Sequence, residues 1–212
     1  MHKKILLVCL TFLLVGCVRV DQVDDYGVLI RQCLIDHVVT NDVSLGYQYY
    51  VPRGVRKVND YDYNQVFLVD GTSIYLYVDI ISYFYKKDVL YPQTSNNSLY
   101  QKFESGNKSG YFELKKENDI WYAQIYYNYS KIEFYTDEVH LKKMVTLSSI
   151  ILNSIHYNDK VIEKVLEGSL GEFSELNYEV EKPTGASSDF SQYLEEYVQK
   201  EKKEQKEELP DK

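Results

Sequence analysis

Two hydrophobic periods alternate along the chain. Apolar residues recur at helical spacing over residues 24–39 and, more strongly, over residues 138–155, whereas the period between them is two. A 3.6-residue period is typical of an amphipathic helix, and a period of two is typical of a strand with one buried face. We therefore expect an α+β fold, in which an antiparallel sheet of about five to six strands is packed by an N-terminal helix and one or two C-terminal helices.

Capping and turn residues set the expected bounds of these elements. Asp24 and Asp25 start a helix that runs to about Val39, and Asp70-Gly71 predicts a hairpin between two strands. Thr136-Asp137-Glu138 caps the longest helix, and a shorter helix over residues 159–167 stops at Gly168. Strands are expected over residues 46–51, 63–69, 111–115, 121–127 and 132–135, and a loop over residues 91–110. A further strand is expected to begin at Ile74 and to continue towards Tyr85, with a bend near Ile80-Ile81, where the alternation of apolar and polar residues slips.

The first 17 residues resemble the export signal of a bacterial lipoprotein. A basic start precedes a 12-residue apolar run that ends at Gly16, too short for a membrane-spanning helix. Leu14-Val15-Gly16-Cys17 resembles the lipobox, whose cysteine receives diacylglycerol and becomes the first residue after cleavage. The resemblance implies that Cys17 anchors the chain to the cell membrane on its extracytoplasmic face.

Composition shifts divide the rest of the chain. We expect a lipoprotein signal peptide over residues 1–16, a lipidated tether over 17–23, one α+β domain over 24–171, and a linker over 172–187. Residues 188–212 read as an amphipathic helix followed by a charged tail. Its apolar stripe is a candidate partner-binding element, with docking on its own domain as the alternative; the stripe consists of Phe190, Tyr193, Leu194, Tyr197 and Val198.

Charge and cysteine content narrow the classes of partner. Without Lys3 and Lys4 the chain carries 22 basic against 32 acidic residues, which does not suit a nucleic-acid backbone. With Cys9 in the signal and Cys17 lipidated, Cys33 has no disulfide partner in the chain, and we expect it to be a buried structural thiol. The basic pairs could turn one face towards anionic lipid if they share that face, or lie scattered in solvent; they are Arg56-Lys57, Lys86-Lys87, Lys115-Lys116 and Lys142-Lys143.

Tyrosine is the strongest compositional signal. The chain has 22 tyrosines, clustered between Tyr47 and Tyr135. Tyrosine favours strands and combines an apolar ring with a polar tip. This pattern favours a partly wet sheet face tiled with tyrosine, and an aromatic surface for recognition of a glycan or a protein is the sharper alternative.

Motifs for catalysis, cofactors and metals are absent from the sequence. His37, His140 and His156 have no second ligand at metal spacing, and no nucleophile motif or phosphate-binding loop occurs. Asp60, Asp62 and nearby Asn residues lack the glycine and terminal glutamate of a calcium loop, so they read as turn acids. We expect no cofactor and no enzymatic activity.

Two short segments stand at the ends of predicted elements: Tyr50-Val51-Pro52-Arg53-Gly54-Val55 after a strand, and Ile150-Ile151-Leu152-Asn153-Ser154-Ile155 at the end of a helix. They resemble the Mog1/PsbP-like fold, which occurs in small bacterial lipoproteins. The resemblance covers residues 45–157 and implies a binding or assembly role without catalytic residues.

These observations leave two functional hypotheses. The first is a non-catalytic binding or assembly module of the cell envelope, which engages an envelope protein or glycan. The alternative is an envelope hydrolase that acts on wall material with carboxylates that spacing alone does not identify. A two-lobed solute-binding protein needs more chain than this domain contains.

Overall fold

The structure is a computed structural model, and it describes residues 25–35, 38–87, 93 and 96–168. These residues form an α+β fold, as the hydrophobic periods predict. The helices are α1 (Tyr26–Cys33), α2 (Ile80–Phe84), α3 (Glu138–Asn153) and α4 (Asp159–Glu167). The strands are β1 (Asp42–Ser44), β2 (Tyr47–Tyr49), β3 (Arg56–Tyr61), β4 (Asn64–Val69), β5 (Thr72–Val78), β6 (Leu99–Ser105), β7 (Lys108–Glu117), β8 (Ile120–Tyr127), β9 (Ser130–Asp137) and β10 (His156–Tyr157).

Seven strands form the main sheet in the order β3-β4-β5-β9-β8-β7-β6, and all neighbours are antiparallel. The sheet joins two meanders, β3-β4-β5 and β6-β7-β8-β9, through the pairing of β5 with β9. A second sheet of three short strands has the order β1-β2-β10. The main sheet therefore has slightly more strands than expected, because its two polar edge strands carry weak sequence signals.

The helices cover one face of the main sheet. α3 lies on β8 and β9, and α1 packs beside it and reaches β6. The stripe expected for α3 is buried in the core against strand residues; it consists of Leu141, Met144, Val145, Ser148, Ile151 and Leu152. We call the sheet face below these helices the core face, and it includes Ala123, Ile125, Ile132 and Phe134.

The predicted caps and the hairpin are confirmed. The carboxylate of Asp25 accepts a hydrogen bond from the backbone N–H of Val28 at 3.1 Å, and Asp137 does the same for His140 at 2.9 Å. Asp70 and Gly71 both have positive φ, 49° and 80°, as a two-residue type I′ hairpin requires.

The N-terminal helix is shorter than the sequence predicts. α1 ends at Cys33 instead of near Val39, and residues 38–41 are not helical. Asn41 pairs with the chain after β2: its side chain donates to the carbonyl of Val51 at 3.0 Å and accepts from the N–H of Val51 at 2.7 Å. This pairing and the β-branched run at residues 38–40 disfavour helix. Cys33 is half-buried, so the expectation of a buried thiol was wrong.

The sequence pattern did not predict either edge strand of the main sheet. β3 contains Asp60, which was expected in a turn, and β6 lies inside the segment expected to be a loop. Edge strands are polar and irregular in many proteins, and β3 carries a bulge between Lys57 and Asn59. The strand expected to continue towards Tyr85 was wrong in its end: β5 stops at Val78, and the slip in alternation near Ile80-Ile81 corresponds to α2, which Asp79 caps.

Candidate functional site

Tyrosines cover the face of the main sheet that lies opposite the core face. Side chains alternate along each strand, so the residues between the core positions point to this side. We call this surface the tyrosine face. It contains Tyr75 and Tyr77 on β5, Tyr100 on β6, Tyr111 on β7, Tyr122 and Tyr126 on β8, and Tyr135 on β9.

The strand sequences already carry the pattern of this face. Its outward positions read Tyr-x-Glu-x-Lys from Tyr111, Tyr-x-Gln-x-Tyr from Tyr122, and Lys-x-Glu-x-Tyr from Lys131. Each of the three strands combines at least one tyrosine with a glutamate or a glutamine at its outward positions. Sequence reasoning predicted tyrosine tiling but missed the glutamates and the glutamine, because only the strand register shows that they lie side by side.

One row of paired residues crosses five strands of the tyrosine face. Neighbouring strands place Tyr75 opposite Glu133, Glu133 opposite Gln124, Gln124 opposite Glu113, and Glu113 opposite Tyr100. We call these five residues the central row. Opposed side chains on adjacent strands lie close enough for direct contact.

Hydrogen bonds fix the central row and the tyrosines beside it. The Oε1 atom of Glu133 accepts from the hydroxyl of Tyr122 and from the Nε2 atom of Gln124, each at 2.6 Å. The amide oxygen of Gln124 accepts from the hydroxyl of Tyr111 at 2.8 Å. Two tyrosines, one amide and one carboxylate therefore hold each other in a single arrangement.

Both glutamates of the row have donors nearby. Glu113 is 0 % exposed and accepts a hydrogen bond from the hydroxyl of Ser98 at 2.5 Å. The ammonium group of Lys131 lies 3.3 Å from the Oε2 atom of Glu133. Buried carboxylates need such partners because an uncompensated charge is costly away from water.

Burial keeps the Tyr122 hydroxyl protonated. Desolvation and the adjacent charge of Glu133 raise the pKa of Tyr122 far above its ordinary value of 10.0. The hydroxyl therefore acts as a hydrogen-bond donor at any physiological pH. This makes it a fixed donor of the network, and a poor source of a phenolate nucleophile.

Ring contacts add order to the same surface. Tyr111 and Tyr126 stack with centroids 5.8 Å apart and 12° between their planes, and Tyr122 lies 5.1 Å from Tyr135. Tyr111 and Tyr126 are buried, whereas Tyr122 and Tyr135 are half-buried. The face thus presents rings that are held in place and partly open to solvent.

A groove lies between the small sheet and the start of α4. Its volume is about 420 Å³, and β1, β2 and β10 contribute Val43, Gln48 and His156 in one row. Gly46 allows the turn before β2 to lie directly against α4. Its φ is +91°, and a Cβ atom there would lie 2.8 Å from the side chain of Ile162 on α4. The hydroxyl of Tyr83 donates to Asp159, another lining residue, at 2.9 Å.

His140 and Asp60, which the sequence analysis considered as possible metal ligands, each pair with a side chain of the same domain. The Nδ1 atom of His140 lies 2.8 Å from Asp137 at the start of α3, and Asp60 pairs with Lys57 at 2.7 Å. The pKa of Asp137 is lowered, because hydrogen bonds from His140 outweigh partial burial. Within the residues that the structure describes, no group of three or more His, Cys, Asp or Glu side chains could hold a metal ion.

Several predicted sites lie outside the described residues. They are Cys17, His37 and the stripe Phe190, Tyr193, Leu194, Tyr197 and Val198. Among the helices in the described part of the chain, none is long and apolar enough to cross a membrane.

Comparisons with protein-family models, with curated proteins and with solved structures find no match to this chain. The lipobox and the Mog1/PsbP-like resemblance therefore stay predictions from the sequence.

Proposed function

We propose that this chain is a lipid-anchored, extracytoplasmic binding module of the cell envelope, and that it binds a protein partner through the tyrosine face. The lipobox at Cys17 supports the location. The main support for binding is the hydrogen-bonded array around the central row, which holds the half-buried Tyr122 and the buried Tyr111 in fixed positions.

Tyrosine arrays suit protein recognition for physical reasons. Tyrosine is enriched in protein interfaces, where it buries a large ring and loses only two side-chain torsions. The hydroxyls of Tyr122 and Tyr111 already donate hydrogen bonds to Glu133 and Gln124. These side chains would therefore lose little further conformational entropy when a partner docks. The charges nearby are mixed, since Lys131 and Glu133 lie on neighbouring positions of the same strand face. Such a surface favours specific packing over nonspecific attraction by net charge.

Photocrosslinking in cells tests the proposal. A benzophenone amino acid replaces Tyr135 on the tyrosine face or, as the control, Tyr85, which is 61 % exposed and follows α2. We expect a discrete protein adduct from position 135 and none from position 85. Adducts of equal intensity at both positions, or adducts at position 85 alone, would contradict the proposal. An adduct that polysaccharide-degrading enzymes remove would make the partner a glycan.

Hydrolysis of wall material is the second candidate, and one observation favours it. Glu113 and Glu133 lie two strands apart in one row, so their Cα atoms are roughly 10 Å apart from sheet spacing. A pair of carboxyl groups is the apparatus with which glycosidases cleave a glycosidic bond. Glu113 is fully buried and Gln124 lies between the two glutamates, so this candidate ranks below the binding module. Turnover of wall polymers that is lost in Glu133→Gln while the protein stays folded would replace the binding module with an enzyme.

A further inference from the structure

Exposed aliphatic side chains are concentrated in the first part of the described chain. Ile35 is 77 % exposed, Val39 78 %, Val43 71 % and Leu45 42 %. We call these four residues the aliphatic patch. In the remainder of the described chain, the large hydrophobic side chains that are exposed are Tyr61, Tyr85, Leu99 and Val139, and they are separated from one another in sequence.

The aliphatic patch lies around one end of the domain, where α3 ends. The side chain of Asn153, the last residue of α3, donates to the carbonyl of Cys33 at 3.2 Å, which places the end of α1 there. Ser154 accepts a hydrogen bond from the N–H of Tyr50 at 2.8 Å, and β2 pairs with β1, which carries Val43. The segments that carry Ile35 and Val43 therefore meet at the same end of α3.

The opposite end of α3 offers a reference point. Val139 is the second residue of this 16-residue helix and is 85 % exposed. A helix rises 1.5 Å per residue, so Val139 lies roughly 20 Å from the end of α3 that the aliphatic patch surrounds. The domain thus has two exposed valines, Val43 and Val139, at distant positions.

The basic pairs within the strands do not form one cationic surface. Consecutive residues on a strand point to opposite sides, so the pairs Arg56-Lys57 and Lys115-Lys116 are split between two faces. Lys57, Lys115, Lys116 and Lys143 each form an ion pair with a carboxylate of this chain. A contact with lipid would consequently be apolar in its main part, with Lys160 and His156 of the groove beside Val43.

We propose that the aliphatic patch is a bilayer contact, which inserts shallowly among lipid headgroups and sets the orientation of the anchored domain. This rests on the proposed function, because it requires the lipid at Cys17. Binding in the membrane interface scales with the apolar area that is buried there, and the attraction of a cationic residue such as Lys160 to anionic lipid adds to it.

Chain length identifies the bilayer as the occupant. Eight residue steps separate Cys17 from Asp25, so the cap of α1 stays within roughly 29 Å of the lipidated residue. α1 has eight residues and is about 12 Å long, and Ile35 follows two residues after its end. The aliphatic patch is therefore on the first elements of the described chain, a short distance in sequence from Cys17. An anchored domain meets the bilayer continually, whereas a soluble partner must be recruited.

Site-specific fluorescence in vesicles tests this contact. The full, lipidated chain carries Cys33→Ala and either Val43→Cys or, as the matched control, Val139→Cys. Each introduced thiol holds an environment-sensitive dye, and the protein is reconstituted in vesicles of phosphatidylethanolamine with phosphatidylglycerol. Mass spectrometry verifies the diacylglyceryl group, and circular dichroism verifies that both variants melt like the parent.

We expect brominated lipids to quench the dye at position 43 several-fold more strongly than the dye at position 139. Equal quenching at both positions, or quenching at position 139 alone, would overturn the bilayer contact. A dye signal at position 43 that changes with protein concentration in detergent without vesicles would instead assign the patch to a second copy of the chain. Absence of the diacylglyceryl group would refute the anchor itself, and this outcome is distinct because it is read by mass before any vesicle is added.

Discussion

The same strands build both faces of the seven-stranded sheet, but the two faces are held by different interactions. On the core face, Ile132 and Phe134 are fully buried below α3 and pack against other apolar side chains. On the tyrosine face, the intervening residues Glu133 and Tyr135 are half-buried, and hydrogen bonds and ring contacts order them. Neighbouring residues of one strand thus belong to two different regions. The core face is stabilised by the exclusion of water, and the tyrosine face is ordered by hydrogen bonds and ring contacts. The first secures the fold, and the second leaves a patterned surface that is partly exposed to solvent.

The largest expected difference between the faces appears on truncation of neighbouring aromatic residues. Phe134→Ala should lower the free energy of unfolding by about 3–5 kcal/mol, because it removes a buried ring and leaves a cavity. Tyr135→Ala, one residue along β9, should cost less than about 1.5 kcal/mol, because its ring is half exposed. Urea denaturation of both variants measures the difference. Similar losses would mean that the two faces contribute equally to the core.

A smaller effect is expected from the network on the tyrosine face. Glu133→Ala leaves the donors of Tyr122 and Gln124 without their acceptor, so it should cost about 1–3 kcal/mol. A double-mutant cycle with Tyr122→Phe should give a coupling energy of about 0.5–3 kcal/mol, as residues in one network do. The exposed pair of Lys143 and Asp70 is the control, and Lys143→Ala should cost at most about 1 kcal/mol. Additive effects at residues 133 and 122 would show that the network does not act as a unit.

The smallest effect concerns alkaline pH. The pKa of Tyr122 is raised in the folded protein by burial and by Glu133, from 10.0 in the unfolded reference. The stability that its neutral hydroxyl contributes is therefore complete below about pH 10 and is lost as the pH rises above it, because only the unfolded chain releases the proton there. At about pH 10.5 one such tyrosine costs less than about 1 kcal/mol. Urea midpoints between pH 9 and pH 10.5 should fall less steeply in Tyr122→Phe than in the parent, and identical slopes would contradict the pKa shift.

The long helix and the hairpins could be predicted because their signals are local. Asp137 caps α3, and the stripe from Leu141 to Leu152 repeats at helical spacing. Asp70-Gly71 sets a turn by its own backbone preferences. Each of these features needs only a few neighbouring residues, so the sequence pattern contains the whole cause.

The edge strands and the end of α1 could not be predicted in the same way. β3 and β6 are polar and are strands because β4 and β7 present unpaired backbone groups to them. Residues 38–41 after α1 are not helical, and Asn41 there pairs with Val51, ten residues further along the chain. Such partners do not appear in any short window of sequence.

The candidate site also combines features that depend on local sequence with features that depend on distant parts of the chain. The sequence by itself determined that tyrosines tile a strand face, because alternation along one strand is a local property. Tertiary structure alone decided that Glu113, Gln124 and Glu133 form one row, because this depends on the register of three strands. It also decided that β5 lies beside β9 and brings Tyr75 to that row. Strand register and strand order come from packing across the whole sheet, and the chain must fold before either exists.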